Sequence, residues 1–255
     1  MTAQRSPKRQ RQKEQRRAKI EQEIKVYQAR RRRRLLINLG VLVVVMAVVG
    51  GFILREQNKK TAPAKTKCVA TPATSGAGKV PVLKKFDLDT KKNFIAVMKT
   101  SLGTIQIKLD GKTSPCTMNS FVYLAKRGFY NGLKFHRIVK GFALQGGDPN
   151  GDGSGGPGYN VVDTPPKGFK YTKGLVAMAK TGADPAGTSG SQFFIVPGDG
   201  AASLPAEYAV LGKVVSGDDV VQKINEVPTA ASSGGGEQSK PLQEVVIISV
   251  TITQS

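Results

Sequence analysis

Residues 135–148 read FHRIVKGFALQGGD and are the most informative stretch of this chain. Arg137, Phe142 and Gln145 stand here among apolar residues, and a glycine pair follows them. Alternate side chains of an extended segment face opposite sides, so Arg137 and Ile138 point in opposite directions. If Ile138 faces a core, Arg137 faces a surface or a groove.

A second stretch, at residues 174–195, looks like the partner of the first. It contains Met178, Ala179 and Lys180, and it ends in the apolar run SQFFI. Gln192 and Phe194 lie two positions apart within that run, so in a strand they share one face.

Both stretches resemble signatures of the cyclophilin family of peptidyl-prolyl isomerases. The first signature, FHR-I-x-x-GF-x-x-QGGD, stands at 135–148, and the second, G-x-x-x-MA followed by SQFFI, stands at 174–195. They occur in family order and at family spacing, and the resemblance covers about residues 93–252. It implies a mostly β fold: a closed eight-stranded antiparallel barrel with two capping helices.

The resemblance also implies which residues act. Arg137 is expected to be the guanidinium donor, Phe142 part of the proline pocket, and Gln145 the residue that orients the arginine. The remaining expected substrate-binding residues are Ala143, Ala179, Lys180, Gln192, Phe194, Leu204 and Tyr208. Family members often have Asn where Lys180 stands, and their contact there is largely through the backbone.

The implied reaction needs neither a cofactor nor a metal. Rotation about an Xaa-Pro bond crosses a barrier of about 18–20 kcal/mol because it breaks partial double-bond character. A catalyst must favour the twisted amide over both planar isomers. A guanidinium can donate to the freed lone pair on nitrogen while an apolar cup holds the ring. Two Cys and one His also exclude the usual four-ligand zinc cluster.

Two positions depart from the family pattern. Alignment back from Gly212 places Ser203 where many members have Trp, and Tyr208 where many have a pocket His. Tyr208 can still form a pocket wall, whereas Ser203 cannot replace an indole. We therefore expect an active isomerase that resists cyclosporin-type ligands.

Two further patterns carry little weight. His136 is the only histidine, but the chain has no G-x-S-x-G motif, so a hydrolytic role is not expected. Gly151, Gly153 and Gly156 have the spacing of a dinucleotide fingerprint, yet Pro157 follows them directly. Because the fingerprint must open a helix, this segment is predicted to be a loop.

The basic excess is concentrated at the N-terminus. The formal net charge is +21, and residues 1–34 hold 14 of the 39 lysines and arginines, with an unbroken arginine run at 30–34. Such a segment cannot bury a core, so we predict a basic arm that is disordered or loosely helical. Contact of residues Arg30 to Arg34 with anionic lipid is one possibility; nucleic-acid binding is less favoured.

Residues 35–54 are predicted to form a single transmembrane helix. They are 20 residues without a charge, which at helical rise span about 30 Å. The arginines before them place the N-terminus in the cytoplasm and the rest of the chain outside. A cleaved signal peptide is the alternative, but the apolar run exceeds a usual signal-peptide core. The interpretation is a membrane-anchored bacterial isomerase that assists folding of exported proteins.

The remaining chain divides into a predicted linker at 55–89 and a domain at 90–255. One helix is predicted between Ser114 and Gly128, with Met118, Phe121, Val122 and Ala125 inward, and a second at 218–225. Strands are predicted at 94–98, 104–109, 134–139, 175–179, 193–196, 210–214 and 245–252.

Two alternatives stay open at this stage. Cys68 in the linker and Cys116 near the first helix can form a disulfide outside the cell, or both can be free thiols. The groove can also belong to a binding module that docks Pro-containing segments with little turnover.

Overall fold

The computed structural model describes residues 68–73, 80–232 and 236–254. They belong to one compact unit, Lys67–Ser255. The predicted basic arm, the predicted transmembrane helix and the first part of the predicted linker lie outside the described residues. Within the described ranges, no helix has both the length and the apolar composition needed to cross a bilayer.

The described chain contains thirteen strands, two α-helices and a short 3-10 helix, Gly200–Ser203. The helices are α1 (Pro115–Lys126) and α2 (Asp218–Asn225). The strands are β1 (Thr71–Pro72), β2 (Phe94–Thr100), β3 (Gly103–Leu109), β4 (Phe135–Val139), β5 (Ala143–Gly146), β6 (Tyr159–Val162), β7 (Leu175–Met178), β8 (Thr188–Ser189), β9 (Phe193–Ile195), β10 (Val210–Ser216), β11 (Thr229–Ala231), β12 (Gln238–Pro241) and β13 (Ile247–Gln254).

Eight of these strands form the main sheet, in the order β13-β2-β3-β10-β7-β9-β5-β4. All neighbouring pairs are antiparallel, as predicted. Apolar and polar side chains alternate along β3, which pairs with β2. Ile105, Ile107 and Leu109 are buried, whereas the residues between them are exposed. Apolar side chains with a period of two can cover only one face of a sheet.

The prediction of a closed barrel is wrong, because the sheet is an open half-barrel. Its edge strands β4 and β13 share no ladder and meet only at an isolated bridge between Lys134 and Val246. Three backbone hydrogen bonds join the chain around that bridge, including one from Phe135 N to Val245 O at 2.9 Å. Further along, β4 packs against β12, so β13 does not continue beside it.

Both predicted helices are present. The predicted apolar stripe of α1 is buried, and Val220, Val221 and Ile224 of α2 are buried as well. Ser114 precedes α1, but its side chain makes no capping hydrogen bond. Asp163 instead accepts a hydrogen bond from Thr117 N at 2.6 Å, so a strand end supplies the carboxylate for the helix N-terminus.

The described part of the predicted linker packs on the domain. Cys68 and Cys116 form a disulfide with a Cα–Cα distance of 5.3 Å, so the two thiols are paired and not free. β1 then pairs with β6, and Leu83 is buried in the main core. Tyr123 Oη donates to Pro81 O at 2.8 Å. We call the described residues 68–73 and 80–89 the N-terminal segment.

The buried side chains form two clusters. The larger cluster lies between the sheet and the helices and includes Phe121, Tyr130 and Phe193. The smaller cluster consists of Ala143, Tyr171, Ala177, Phe194, Val196 and Ala201. Phe142, Leu204 and Tyr208 pack against the smaller cluster and remain partly exposed, so this cluster ends in an apolar surface.

Candidate active site

One cavity of about 220 Å³ opens over the smaller cluster. Nine of the ten residues expected from the sequence line it: Arg137, Phe142, Ala143, Gln145, Ala179, Lys180, Phe194, Leu204 and Tyr208. The tenth, Gln192, lines an adjacent cavity that also contains Gln145. The two signature stretches therefore meet at one site.

The floor of the cavity is aromatic and fixed. Phe194 is buried, and its ring meets Tyr208 edge to face with centroids 5.6 Å apart. Tyr171, which the sequence analysis missed, holds Tyr208 in place: its hydroxyl donates to Tyr208 O at 2.8 Å and accepts from Tyr208 N at 2.8 Å. Burial raises the pKa of Tyr171 to about 12, so the hydroxyl keeps its proton.

The polar wall of the cavity is a chain of hydrogen bonds. Strand register pairs Arg137 with Gln145 and Gln145 with Phe194. Arg137 Nη1 donates to Gln145 Oε1 at 3.4 Å, and Gln145 Nε2 donates to Gln192 Oε1 at 2.9 Å. Gln192 Nε2 in turn donates to the carbonyls of Gly153 at 2.9 Å and Gly155 at 2.8 Å. The predicted glycine loop thus anchors one end of the polar wall.

The other end of the wall is an ion pair that the sequence analysis also missed. Arg137 Nη2 donates to Glu237 Oε1 at 2.7 Å, and Arg137 Nε donates to Glu237 Oε2 at 2.8 Å. These bonds lower the pKa of Glu237. The apolar pocket, the guanidinium at its edge and the amides beside it are the parts expected of a catalyst for amide rotation.

Comparison with known proteins identifies the family. The family model described as "Cyclophilin type peptidyl-prolyl cis-trans isomerase/CLD" matches residues 95–252. The chain belongs to this family. A "Probable peptidyl-prolyl cis-trans isomerase B" of Mycobacterium tuberculosis is 36% identical over 205 residues. The match covers 74% of this chain but only 62% of that relative.

Shorter relatives match over most of their own length. A peptidyl-prolyl cis-trans isomerase of Helicobacter pylori is 41% identical over 138 residues, covering 53% of this chain and 82% of the relative. A crystal structure of a Cryptosporidium parvum cyclophilin type isomerase, obtained in the presence of the dipeptide Ala-Pro, superposes with a TM-score of 0.54 at 28% identity. It covers 63% of this chain and 99% of that structure, which supports the cyclophilin fold.

Lys180 does not present its charge to the groove of this cyclophilin domain. Its side chain is only 4% exposed, and its amine lies 3.2 Å from the Glu207 carboxylate. The amine also donates to Thr181 O and Asp184 O, so it holds the following loop. Ala179 N already donates to Gln192 O at 2.9 Å, which leaves that amide unavailable to a substrate main chain.

The two departures from the cyclophilin pattern lie in different surroundings. Ser203 ends the 3-10 helix, is exposed and is not among the residues that line the 220 Å³ cavity. Tyr208 lines the cavity, as predicted for a replacement of the pocket His. At the position of Ser203, the wall of the cyclophilin groove therefore lacks the apolar surface that an indole would supply.

His136 faces no hydroxyl nucleophile in the part of the chain that the structure describes. Both ring nitrogens are buried without a hydrogen-bond partner there. Burial lowers the pKa of His136, so the imidazole is neutral near pH 7. The described residues also contain no group of three or more His, Cys, Asp or Glu side chains placed to hold a metal.

Proposed function

We propose that this chain is a peptidyl-prolyl cis–trans isomerase that accelerates rotation of Xaa-Pro bonds in polypeptide substrates. The observation that carries the proposal is the single cavity that combines an apolar cup with Arg137 at its edge. The relative crystallised in the presence of Ala-Pro supports Pro-containing substrates. Arg137, Phe142 and Gln145 are the proposed catalytic residues.

In the proposed mechanism, the cup holds the proline ring and the polar wall acts on the amide. Phe142, Phe194 and Leu204 bury the ring, which stays fixed while the preceding residue turns. As the amide twists, its nitrogen becomes pyramidal, and its lone pair, no longer delocalised into the carbonyl, localises on the nitrogen. A donated N–H from Arg137 stabilises that lone pair more than it stabilises either planar isomer, which is the condition for catalysis.

Replacing Arg137 by Ala is the direct test. We expect kcat/KM for a Xaa-Pro peptide to fall at least about tenfold, or about 1.4 kcal/mol of transition-state stabilisation. The assay is protease-coupled isomerisation with the full 255-residue chain in mild detergent. Lys140→Ala is the matched control, because Lys140 is an exposed cation that pairs with Glu226 outside the cavity. Near wild-type turnover in a folded Arg137→Ala protein would exclude this mechanism.

A groove that binds Pro-containing segments without useful turnover is the second candidate. The observation that favours it is the ion pair with Glu237, which occupies two of the three guanidinium nitrogens of Arg137. Titration with a Pro-containing peptide separates the two candidates. Binding without acceleration of exchange between the cis and trans isomers, measured by NMR, would favour the binding module.

We further propose that the domain is held outside the cytoplasm by a membrane anchor at residues 35–54, where it assists the folding of exported proteins. The apolar composition of 35–54 and the arginines at 30–34 support this arrangement. In it, residues 1–34 are a cytoplasmic arm that contacts anionic lipid, and residues after 54 connect to the isomerase domain.

Protease added outside intact cells tests this topology. The proposal expects cleavage between the anchor and Cys68, release of the isomerase domain and protection of the basic arm. An antibody to each end of the chain reads out the two fragments. Digestion of the arm together with protection of the domain would reverse the orientation.

A further inference from the structure

The hairpin formed by β11 and β12 reaches the edge of the candidate active site. Arg137 lines the 220 Å³ cavity and also a neighbouring cavity of about 460 Å³. Residues Ser232, Ser239 and Lys240 of the hairpin line this second cavity. Glu237, the residue before β12, therefore contacts Arg137 from the hairpin side of the site.

The geometry of the ion pair leaves the reactive end of the arginine available. Glu237 binds the Nε and Nη2 side of the guanidinium, and Gln145 takes one hydrogen of Nη1. A guanidinium carries five N–H donors. One N–H on each terminal nitrogen thus has no partner among the described residues. Those two donors are the ones that a substrate can use.

The same geometry fixes the plane of the guanidinium. A bidentate carboxylate matches the planar fork of arginine and adds directional order to a side chain with large rotamer entropy. Without Glu237, the described contact that would still orient the group is the 3.4 Å bond to Gln145, which lies near the upper limit for a hydrogen bond. The guanidinium would then sample several orientations over the Phe142 ring, whose centroid is 5.9 Å away.

We propose that Glu237 is a positioning residue that holds the guanidinium of Arg137 in the orientation needed for isomerisation. This proposal rests on the proposed isomerase function. It assigns the hairpin to the active site and predicts that the hairpin acts on the reaction only through Arg137.

The first experiment measures kcat/KM in Glu237→Ala and Glu237→Gln forms of the full chain. We expect a loss of about three- to tenfold for Ala, within the range of coupling between residues in one network. A smaller loss is expected for Gln, which keeps the shape and one acceptor. Glu244→Gln is the matched control: Glu244 lines the same larger cavity and pairs with Lys134, and its removal should leave kcat/KM unchanged.

The second experiment is a double-mutant cycle. It distinguishes a positioning role of Glu237 from a purely structural one. In an Arg137→Ala background, Glu237→Ala should cost nothing further, because the group that it positions is absent. Equal losses in both backgrounds would show that the hairpin supports the fold rather than the arginine. Unchanged or increased kcat/KM in folded Glu237→Ala and Glu237→Gln proteins would likewise overturn the proposal.

These outcomes are distinguishable from failure of the proposed function. If the wild-type chain does not accelerate isomerisation, the proposed function is wrong, and there is no wild-type kcat/KM from which the double-mutant cycle can be calculated. If the wild type is active and Arg137→Ala is impaired, the proposed function stands whatever Glu237 does. Thermal unfolding of each variant by circular dichroism separates a local change at Arg137 from loss of the hairpin.

Discussion

The sheet body and the two segments that flank it contribute to the candidate site in different ways. The body, which carries β4, β5, β7 and β9, supplies the pocket and the polar wall from paired strands. The N-terminal segment and the β11–β12 hairpin contribute at the two ends of the groove. Ala73 lines the cavity beside Gln192, and Glu237 holds Arg137.

This difference has a physical basis. In the body, strand register places Arg137 opposite Gln145 and Gln145 opposite Phe194, so one side chain fixes the position of the next. The flanking segments are attached by contacts of several kinds: the N-terminal segment by a disulfide, a two-residue strand and the buried Leu83, and Glu237 by one ion pair. Three experiments test how far the body and the flanking segments differ, in order of decreasing expected effect.

Removal of the Cys68–Cys116 disulfide should have the largest effect on stability. The bridge closes a loop of 48 residues, and a native disulfide of this kind contributes about 3 kcal/mol. We expect Cys68→Ser/Cys116→Ala to lower the free energy of unfolding by that order, measured by denaturant unfolding of the full chain. Alanine is chosen at Cys116 because that site is buried and a serine hydroxyl there would lack a partner.

The control for this prediction is reduced wild-type protein, which should unfold together with the variant. If oxidised wild type and the variant unfold at the same denaturant concentration, the disulfide adds nothing to the stability of the domain. The N-terminal segment would then be held by the burial of Leu83 and the pairing of β1 with β6 alone.

The sequence predicts much of the body because apolar residues recur there with the periods of strands and helices. Alternation in β2 and β3 and the apolar stripe of α1 are local consequences of burying one face, so both were predictable. Closure of the sheet was not, because it depends on whether β4 and β13 stay side by side beyond one bridge. No local sequence pattern indicates whether two strands so far apart in the chain pair with each other.

The missed site residues share the same limitation. Tyr171 acts through its hydroxyl on the backbone of Tyr208, and Glu237 acts across 100 positions of sequence on Arg137. A single tyrosine or glutamate in a turn-rich stretch is not part of a periodic pattern, so the sequence does not single it out as a site residue. The stretch 55–89 is rich in Lys, Thr, Ala and Pro and therefore predicts a linker, yet Leu83 within it is buried.

Resistance to cyclosporin-type ligands tests whether the body itself departs from its family. Ligands of this class bind family members in the proline groove and accept a hydrogen bond from the family Trp. Ser203 offers neither the ring nor that donor and lies exposed outside the cavity. A lost hydrogen bond costs about 0.5–1.5 kcal/mol, and truncating a large aromatic anchor costs about 2 kcal/mol or more. We expect inhibition weakened about a hundredfold relative to a Trp-containing family member.

Ser203→Trp is the matching gain-of-function variant. It should recover part of the sensitivity while leaving peptide turnover nearly unchanged, because Arg137 and the Phe194 pocket are intact. Nanomolar inhibition of the unmodified chain would mean that another residue fills the place of the Trp, and the alignment that assigns Ser203 would be wrong.

The smallest expected effect concerns His136, which belongs to the body but faces the cavity shared with the hairpin. Burial lowers the pKa of His136, and Arg137 lowers it further, whereas Asp148 and Asp152 oppose that change. The folded protein therefore binds this proton less readily than the unfolded chain, whose histidine titrates near about 6.5. The stability that the neutral imidazole contributes is fully present above that pH and is lost as the pH falls below it and through the lowered pKa of the folded protein.

Because His136 is the only histidine in the chain, its titration can be followed without assignment in untagged protein. We expect the imidazole Hε1 resonance to titrate below the ordinary value, and the melting temperature to fall between pH 7.5 and pH 5.5. A His136→Gln variant should show a smaller fall over the same range, which isolates the histidine from carboxylates such as Asp163. Glu237→Gln should shift the midpoint only if the hairpin carboxylate changes how closely Arg137 approaches the ring. A midpoint at or above the ordinary value would show that the imidazole is hydrated in the folded protein, contrary to the burial of both ring nitrogens.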